Sequence, residues 1–225
     1  MIIKTDTANI YGKKIPAQKK HYSDQIAFND HKIKFVIKYC RNKSVLDLGC
    51  VMHDPENYKS KYWVHKAIRE VAADLIGLDL YQEGVDYLRE RGFNVVFGDA
   101  QNFQLDKKFN VIVAGDIVEH LEDHHGFIES CKRHMHRDSR LLISTPNPWF
   151  WKRIVRSAFQ LEQPNSLEHT CWFCTRTLRQ LVNRHGMDVG EIVFGSRSWK
   201  DRIIPLPTGW RHNSFHAEVF IRNVS

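Results

Sequence analysis

The segment from Ser44 to Cys50, which gives the first indication of the fold, reads Ser-Val-Leu-Asp-Leu-Gly-Cys. Its middle is a short apolar run, and Gly49 follows directly as a turn residue. A short apolar run that ends in a glycine turn is typical of a buried strand. Residues 62–73 come next with apolar side chains at helical spacing, so the pattern predicts a strand followed by a helix.

The same alternation of strands and helices continues along the chain. Further strands are predicted at 75–79, 95–99, 109–116, 140–145, 189–194 and 216–222, and further helices at 85–91, 126–136 and 176–185. Short strands that are apolar on both faces and alternate with helices indicate a parallel sheet covered on both sides. The sequence therefore predicts an α/β fold.

Composition excludes several classes of protein. The chain has 225 residues, of which 42% are hydrophobic and 26% charged, which excludes a disordered or collagen-like chain. The net charge of +7 resides in residues 1–43, which hold ten basic and three acidic residues, whereas residues 44–225 carry 23 of each. We therefore expect a basic N-terminal arm or helical lid at 1–43 and one main domain at 44–225. Any nucleic-acid binding would have to rest on the arm or on local clusters.

The N-terminal sequence and the cysteines bear on the compartment. The first residues lack the apolar segment of a secretory signal, and the chain has no apolar run near the roughly 20 residues that cross a bilayer. The five cysteines are an odd number. We expect a cytoplasmic protein with free thiols and no membrane span.

Acidic residues stand at or near the ends of four successive predicted strands. They are Asp47, Asp79, Asp99 and Asp116. Each alone could cap a helix, but ligands of open α/β sheets bind at the carboxyl ends of the strands. Together they favour a ligand rich in hydroxyl, amine and ammonium groups, such as a dinucleotide or S-adenosylmethionine. The loop after the first strand holds one glycine rather than G-x-G-x-x-G, which argues against pyrophosphate recognition.

Five short motifs, in this order and spacing, resemble those of the class I (Rossmann-like) S-adenosylmethionine-dependent methyltransferases. They are residues 45–50, 76–80, 97–100, 109–123 and 141–147, within a resemblance that covers about two-thirds of the chain, from Val45 to Val193. The resemblance implies a seven-stranded, mostly parallel sheet with helices on both faces and an antiparallel last strand.

The resemblance also implies a set of cofactor-binding residues. Gly49 would let the backbone approach the methionine moiety, Asp79 would accept from the ribose hydroxyls, and Asp116 would lie near the sulfonium. The full implied set is Asp47, Gly49, Cys50, Asp79, Leu80, Asp99, Ala100 and Asp116, with Asp99 and Ala100 at the adenine. The loop departs from the family pattern because residues 50–52 read Cys-Val-Met where most members have further glycines, so His53 or Asp54 are candidates for extra contacts there.

The catalytic candidates lie in the fourth motif. Asp116, Glu119 and His120 share one face if the segment is helical, and His169 lies downstream. This pattern resembles the D-x-x-E-H…H arrangement of metal-dependent small-RNA 2′-O-methyltransferases and the corresponding segment of ubiquinone-pathway and glycan-pathway O-methyltransferases. These four residues could bind Mg²⁺ or Mn²⁺. Alternatively, Glu119 and His120 act without metal, with His120 (unperturbed pKa about 6.5) as general base, or the pair only orders the loop.

The acceptor candidates are mainly aromatic. Residues 146–172 are expected to form an acceptor-binding insertion that contains Asn147, Trp149, Trp151 and His169, and Tyr22 of the arm could close over it. Aromatic faces beside polar groups suit a sugar ring, a phenol or a nucleobase, although the tryptophans could equally form the core of a lid.

The resemblance to O-methyltransferases, including those of glycan pathways, implies O-methylation of a small or saccharide-type acceptor. The cationic residues of 131–156 are compatible with a phosphate group on that acceptor, or with a solvated charged face. Two alternatives stay open: methylation of an RNA 2′-hydroxyl with a divalent metal, and cofactor binding without catalysis, which the glycine-poor loop suggests. The oligomeric state is not predicted.

Overall fold

The computed structural model describes residues 22–52, 54–161, 168–195, 201 and 205–222, with side chains from Asp30 onward. The seven strands of its sheet are β1 (Ser44–Leu48), β2 (Asp74–Asp79), β3 (Val95–Phe97), β4 (Phe109–Gly115), β5 (Met135–Pro146), β6 (Met187–Phe194) and β7 (Ser214–Ile221).

The strand order is β3-β2-β1-β4-β5-β7-β6. Neighbouring strands from β3 to β5 pair in parallel, and β7 pairs antiparallel with both β5 and β6. The predicted α/β class and the expected seven-stranded, mostly parallel sheet with an antiparallel last strand are therefore confirmed.

Helices cover both faces of the sheet. They are α1 (Tyr22–Cys40), α2 (Val64–Arg69), α3 (Gln82–Arg89), α4 (His124–Arg133), α5 (Trp151–Ala158), α6 (Thr175–Arg184) and the single turn α7 (Thr208–Arg211), and there are 3₁₀ turns at Pro55–Lys59 and Val118–His120.

Side chains alternate between the two faces, as the period of a strand requires. Val111 and Val113 of β4 pack in a core cluster with α1 and α2. Ile112 and Ala114, between and beyond them, pack in the larger cluster with α4 and α6. The near-continuous apolar runs that predicted buried strands thus result from two separate cores.

Helix α1 belongs to the body of the fold. Its Phe35, Val36 and Cys40 are buried against Val45 and the neighbouring strands. Residues 30–43, which the charge distribution assigned to an arm, therefore form one layer of the domain. Residues 1–21 lie outside the described part of the chain.

Several element boundaries differ from the predictions. The helix predicted at 62–73 is shorter, since α2 ends at Arg69, and β5 begins at Met135, inside the helix predicted at 126–136. Helix α5 stands where only an irregular aromatic stretch was expected. Within the described ranges, no helix is both long and apolar enough to cross a bilayer.

Candidate functional site

The parallel register brings the carboxyl ends of the central strands to one edge of the sheet. Leu48 is level with Leu78 and Ala114, and Asp79 is level with Phe97. The loops that carry Gly49, Asp99 and Asp116 therefore leave the sheet side by side. Three of the four acidic residues predicted to share a site, Asp79, Asp99 and Asp116, lie along this edge.

The loop after β1 depends on glycine and on Asp79. Gly49 has a φ of +74°, and a Cβ built on it would lie 2.4 Å from Cγ2 of Ile117. The Asp79 carboxylate accepts hydrogen bonds from the backbone N–H of Val51 (2.8 Å) and of Tyr81 (3.0 Å). One carboxylate thus fixes the loops that follow both β1 and β2.

Asp47 and Cys50 support this loop from inside. The Asp47 carboxylate lies 2.9 Å from Nδ1 of His65, and both side chains are buried. Cys50 is buried in the cluster around Trp63, whose Nε1 donates to the Cys50 carbonyl at 2.7 Å. Burial raises the pKa of the Cys50 thiol well above its usual value. Only backbone atoms of these two residues would be available to a ligand in the loop.

The loop after β3 is organised by Asp99 and Gln101. Asp99 accepts from the Gln101 backbone N–H at 2.8 Å, and the Gln101 Oε1 accepts from the backbone N–H of Asp123 at 2.7 Å. Ala100 packs partly buried against the larger core, and Leu80 after β2 is half-buried. This loop is therefore tied to the segment that leads from the fourth motif into α4.

Asp116 forms a buried ion pair with α1. Its backbone φ is +56°, and its Oδ2 accepts from Nζ of Lys32, whose side chain is only 3% exposed. Its Oδ1 is buried without a hydrogen-bond partner among the described residues. Lys32 is not predicted from the sequence, because nothing local connects two residues that lie 84 positions apart.

Glu119 is buried in the 3₁₀ turn after β4. Its Oε2 accepts from Thr145 Oγ1 at 3.0 Å, and its Oε1 has no hydrogen-bond partner within the described part of the chain. Burial, and secondarily the negative charge of Asp116, raise the pKa of the Glu119 carboxyl to about 8. The Glu119 carbonyl accepts from the Thr170 backbone N–H at 2.9 Å, which holds the turn against the later segment.

Two histidines lie beside this carboxyl. Ligand atoms of Glu119, His120 and His169 lie within 4.8 Å of one another, and the rings of His120 and His169 are 4.6 Å apart. Nδ1 of His120 lies 3.8 Å from Oε2 of Glu168. The fourth proposed metal ligand, Asp116, is instead paired with Lys32 and stands outside this group.

Trp172 and Arg153 complete what we call the Glu119 cluster: Glu119, His120, His169, Trp172 and Arg153. The Trp172 ring lies 5.7 Å from the His169 ring and 5.1 Å from the Arg153 guanidinium. Burial lowers the pKa of Arg153 to about 10, and the charge of Glu119 opposes that shift. Sequence analysis missed both, although Arg153 lies in the cationic segment that it had noted.

The other acceptor candidates lie beside this cluster. Asn147 is buried, and its Nδ2 donates to the carbonyl oxygens of Gly209 (2.5 Å) and His212 (2.8 Å). Trp149 is exposed and lines a pocket of about 210 Å³ that Thr175, Phe194 and Trp210 also line. Nε1 of Trp151 donates to Asp201 at 2.9 Å.

Two further candidates fall outside this description. The Tyr22 side chain and the whole of His53 lie outside the described residues.

Comparisons with a protein-family model and with curated proteins both identify methyltransferases as the relatives of this chain. A family model described as a methyltransferase domain matches residues 21–192. A probable S-adenosylmethionine-dependent methyltransferase of Mycolicibacterium smegmatis is 29% identical over 155 residues, which are 68% of this chain and 54% of the relative. This chain thus spans about half the length of that curated relative.

Solved structures show the same fold. A SAM-dependent methyltransferase from Archaeoglobus fulgidus superposes with a TM-score of 0.63 at 16% identity, covering 95% of this chain and 97% of that one. Magnesium protoporphyrin IX methyltransferase from Synechocystis, with bound SAH, gives 0.62 at 15% identity over 96% and 92%. The match to the family model agrees with the motifs and the fold. This chain therefore belongs to the class I S-adenosylmethionine-dependent methyltransferase family.

Proposed function

We propose that this protein transfers a methyl group from S-adenosylmethionine to a hydroxyl group of a small or saccharide-type acceptor in the cytoplasm. The observation that carries the proposal is Glu119, a buried carboxyl beside two imidazoles at the carboxyl end of β4, whose Oε1 has no hydrogen-bond partner among the described residues. A buried polar atom without a partner is costly, so a ligand is expected to supply its partner when bound.

The cofactor would bind along the edge formed by β1 to β4. Asp79 and Leu80 would meet the ribose, Asp99 and Ala100 the adenine, and the backbone at Gly49 the methionine moiety. Asp116 would lie near the sulfonium. Its Oδ1, which has no hydrogen-bond partner among the described residues, fits that position because a carboxylate oxygen suits a positively charged group.

The cofactor supplies an activated methyl group, and the protein contributes alignment and a route for the acceptor's proton. His120 would accept the hydroxyl proton, and the nearby Glu168 carboxylate would stabilise the imidazolium that results. Glu119 would hold the acceptor by a hydrogen bond. Trp172 and Arg153 would present an aromatic face and a cation to a sugar ring or to a phosphate group on the acceptor.

The experiment is transfer of labelled methyl to a panel of sugars, nucleotide-sugars and phenols. We expect His120→Gln and Glu119→Gln to lower kcat on the accepted compound by about 10²-fold or more. Their calorimetric affinity for S-adenosylmethionine should stay close to that of the parent chain. Glu122→Gln, an exposed neighbour, is the matched control. Binding of the cofactor without turnover on any acceptor would instead favour the non-catalytic alternative.

A second candidate is a metal-assisted transfer, for example to an RNA 2′-hydroxyl. It is favoured by the group of Glu119, His120 and His169, because one carboxylate and two imidazoles suit a divalent ion such as Mn²⁺. Such an ion would polarise the acceptor oxygen. Turnover that survives a chelator would exclude this route, and binding to RNA that weakens steeply with salt would favour it.

A further inference from the structure

Exposed large apolar side chains are concentrated at one place. The structure describes seven of them: Phe97, Trp149, Val155, Phe159, Leu161, Trp172 and Trp210. Six of the seven lie on α5, directly beside it, or on segments that contact its first turn. Single exposed apolar residues are ordinary, but such a concentration on a protein surface marks an interaction site.

Helix α5 carries apolar residues at helical spacing and yet buries none of its residues. Its inner side is held by polar contacts, namely Trp151 Nε1 to Asp201 and Arg153 to the Asn213 carbonyl. Val155 on its outer side and Phe159 just after it are exposed, Phe159 by 73%. We call Trp149, Val155, Phe159, Leu161 and Trp210 the α5 surface.

The chain around the α5 surface is cationic. Residues 147–161 and 205–213 include Lys152, Arg153, Arg156 and Arg211 and contain no aspartate or glutamate. Of the acidic side chains described nearby, Asp201 is buried and forms a salt bridge with Lys152, and Glu119 is buried. In the sequence, Glu162 directly follows Leu161. Tryptophan and basic residues around an apolar helix face are the combination that suits the boundary between anionic headgroups and acyl chains.

We propose that the α5 surface binds an anionic lipid bilayer, with α5 lying in the plane of the interface. Val155, Phe159 and Leu161 enter the acyl boundary, the tryptophans lie at headgroup level, and Lys152 and Arg156 meet the lipid phosphates. Because Arg153 lies on α5 and belongs to the Glu119 cluster, this docking brings the cluster close to the bilayer. That consequence rests on the proposed function, whereas the docking itself does not.

The test is co-sedimentation of the full chain with vesicles. We expect binding to equimolar phosphatidylcholine and phosphatidylglycerol, with a blue shift of tryptophan emission, and much weaker binding to phosphatidylcholine alone. Phe159→Ser combined with Leu161→Ser should weaken binding at least about tenfold, and Arg156→Gln about fivefold. Lys132→Gln, in the last turn of α4, is the matched charge control and should bind as the parent chain does.

Three outcomes would overturn the proposal. They are a chain that stays in the supernatant with both vesicle types, equal binding to neutral and anionic vesicles, and retention of single-stranded RNA by a chain that ignores vesicles. The two serines replace exposed side chains, so circular dichroism should match that of the parent chain. If the double variant does not fold, Arg156→Gln against Lys132→Gln decides the question.

Discussion

Gly49 shows how one residue determines the shape of the loop after β1. Its φ of +74° is in the left-handed region, and a Cβ would collide with Ile117. Gly92 has a similar φ of +78°, but a Cβ there would meet nothing within 4 Å. A substitution at Gly92 therefore introduces backbone strain alone, whereas a substitution at Gly49 introduces both backbone strain and a steric collision.

We predict that Gly49→Ala lowers the free energy of unfolding more than Gly92→Ala does. The left-handed strain of about 1–2 kcal/mol is common to both, and overpacking against Ile117 adds about 1–3 kcal/mol at Gly49 only. Urea unfolding of both variants measures the difference. Equal losses would mean that the loop relaxes freely around a methyl group.

His216 is a fully buried histidine that resists protonation. Burial, and secondarily the positive charge of Lys32, lower its pKa to about 3, while Asp116 acts in the opposite direction and His31 in the same one. Its Nδ1 lies 2.9 Å from Ser144 Oγ, and its ring stacks with Phe35. At pH values below the ordinary histidine pKa of about 6.5, the His216 side chain is protonated in the unfolded chain but stays neutral in the folded chain.

The stability that His216 provides is therefore complete above about pH 6.5 and falls as pH decreases toward about 3. We predict that His216→Leu flattens this acid slope by up to about 1.4 kcal/mol per pH unit. Ser144→Ala removes the hydroxyl partner and keeps the imidazole, so it should retain the slope. Unfolding free energies measured across this pH range check both variants, and an unchanged slope in His216→Leu would refute the prediction.

At the scale of elements, one ion pair fastens α1 to the end of β4. Lys32 is nearly inaccessible, and Asp116 is about a quarter exposed. Removing Lys32 leaves the partly buried Asp116 carboxylate without this counter-charge, which costs more than the pair itself contributes.

We predict that Lys32→Met lowers the free energy of unfolding by about 3 kcal/mol, and that Asp116→Asn added to it restores most of the loss. Asparagine tolerates the left-handed backbone at this position. Lys38, on the same helix as Lys32, forms an exposed ion pair with Glu191. Lys38→Met breaks that pair and should lower the free energy of unfolding by at most about 1 kcal/mol. Equal costs for the two lysines, measured by urea unfolding, would contradict this account.

At the scale of the whole molecule, the basic N-terminal region combines two parts. Residues 1–21 hold five lysines and one aspartate, whereas residues 30–43 supply the core residues Phe35, Val36 and Cys40. We propose that the earlier part acts as a basic arm for an acidic acceptor.

Deletion of residues 1–43 should abolish cooperative unfolding, because it exposes the core beneath α1. Deletion of residues 1–21 should retain cooperative unfolding and raise KM for an acidic acceptor, with less effect on a neutral one. Thermal unfolding and the two KM values check this. An unchanged KM for the acidic acceptor would remove the arm from substrate binding.

The local sequence is sufficient to predict the fold class and the edge of the sheet that carries the acidic residues at the strand ends. The apolar runs around Val45 and Val111 are local signals, because strand and helix periods depend on residues only two to four positions apart. Aspartates such as Asp116, which ends the run around Val111, must lie at one edge once the strands are parallel. Trp151 and Ile154 are at helical spacing, but the many aromatic residues around them led to no helix being predicted at α5.

Which side chains meet at that edge could not be predicted from the sequence and is seen only in the tertiary structure. It pairs Lys32 with Asp116, turns Asp47 inward to His65, and brings Arg153 and Trp172 to Glu119. These contacts join residues far apart in the chain, so no periodicity or spacing specifies them. They follow from the packing of complete elements, which places side chains in contact and excludes the water that would otherwise satisfy their polar atoms.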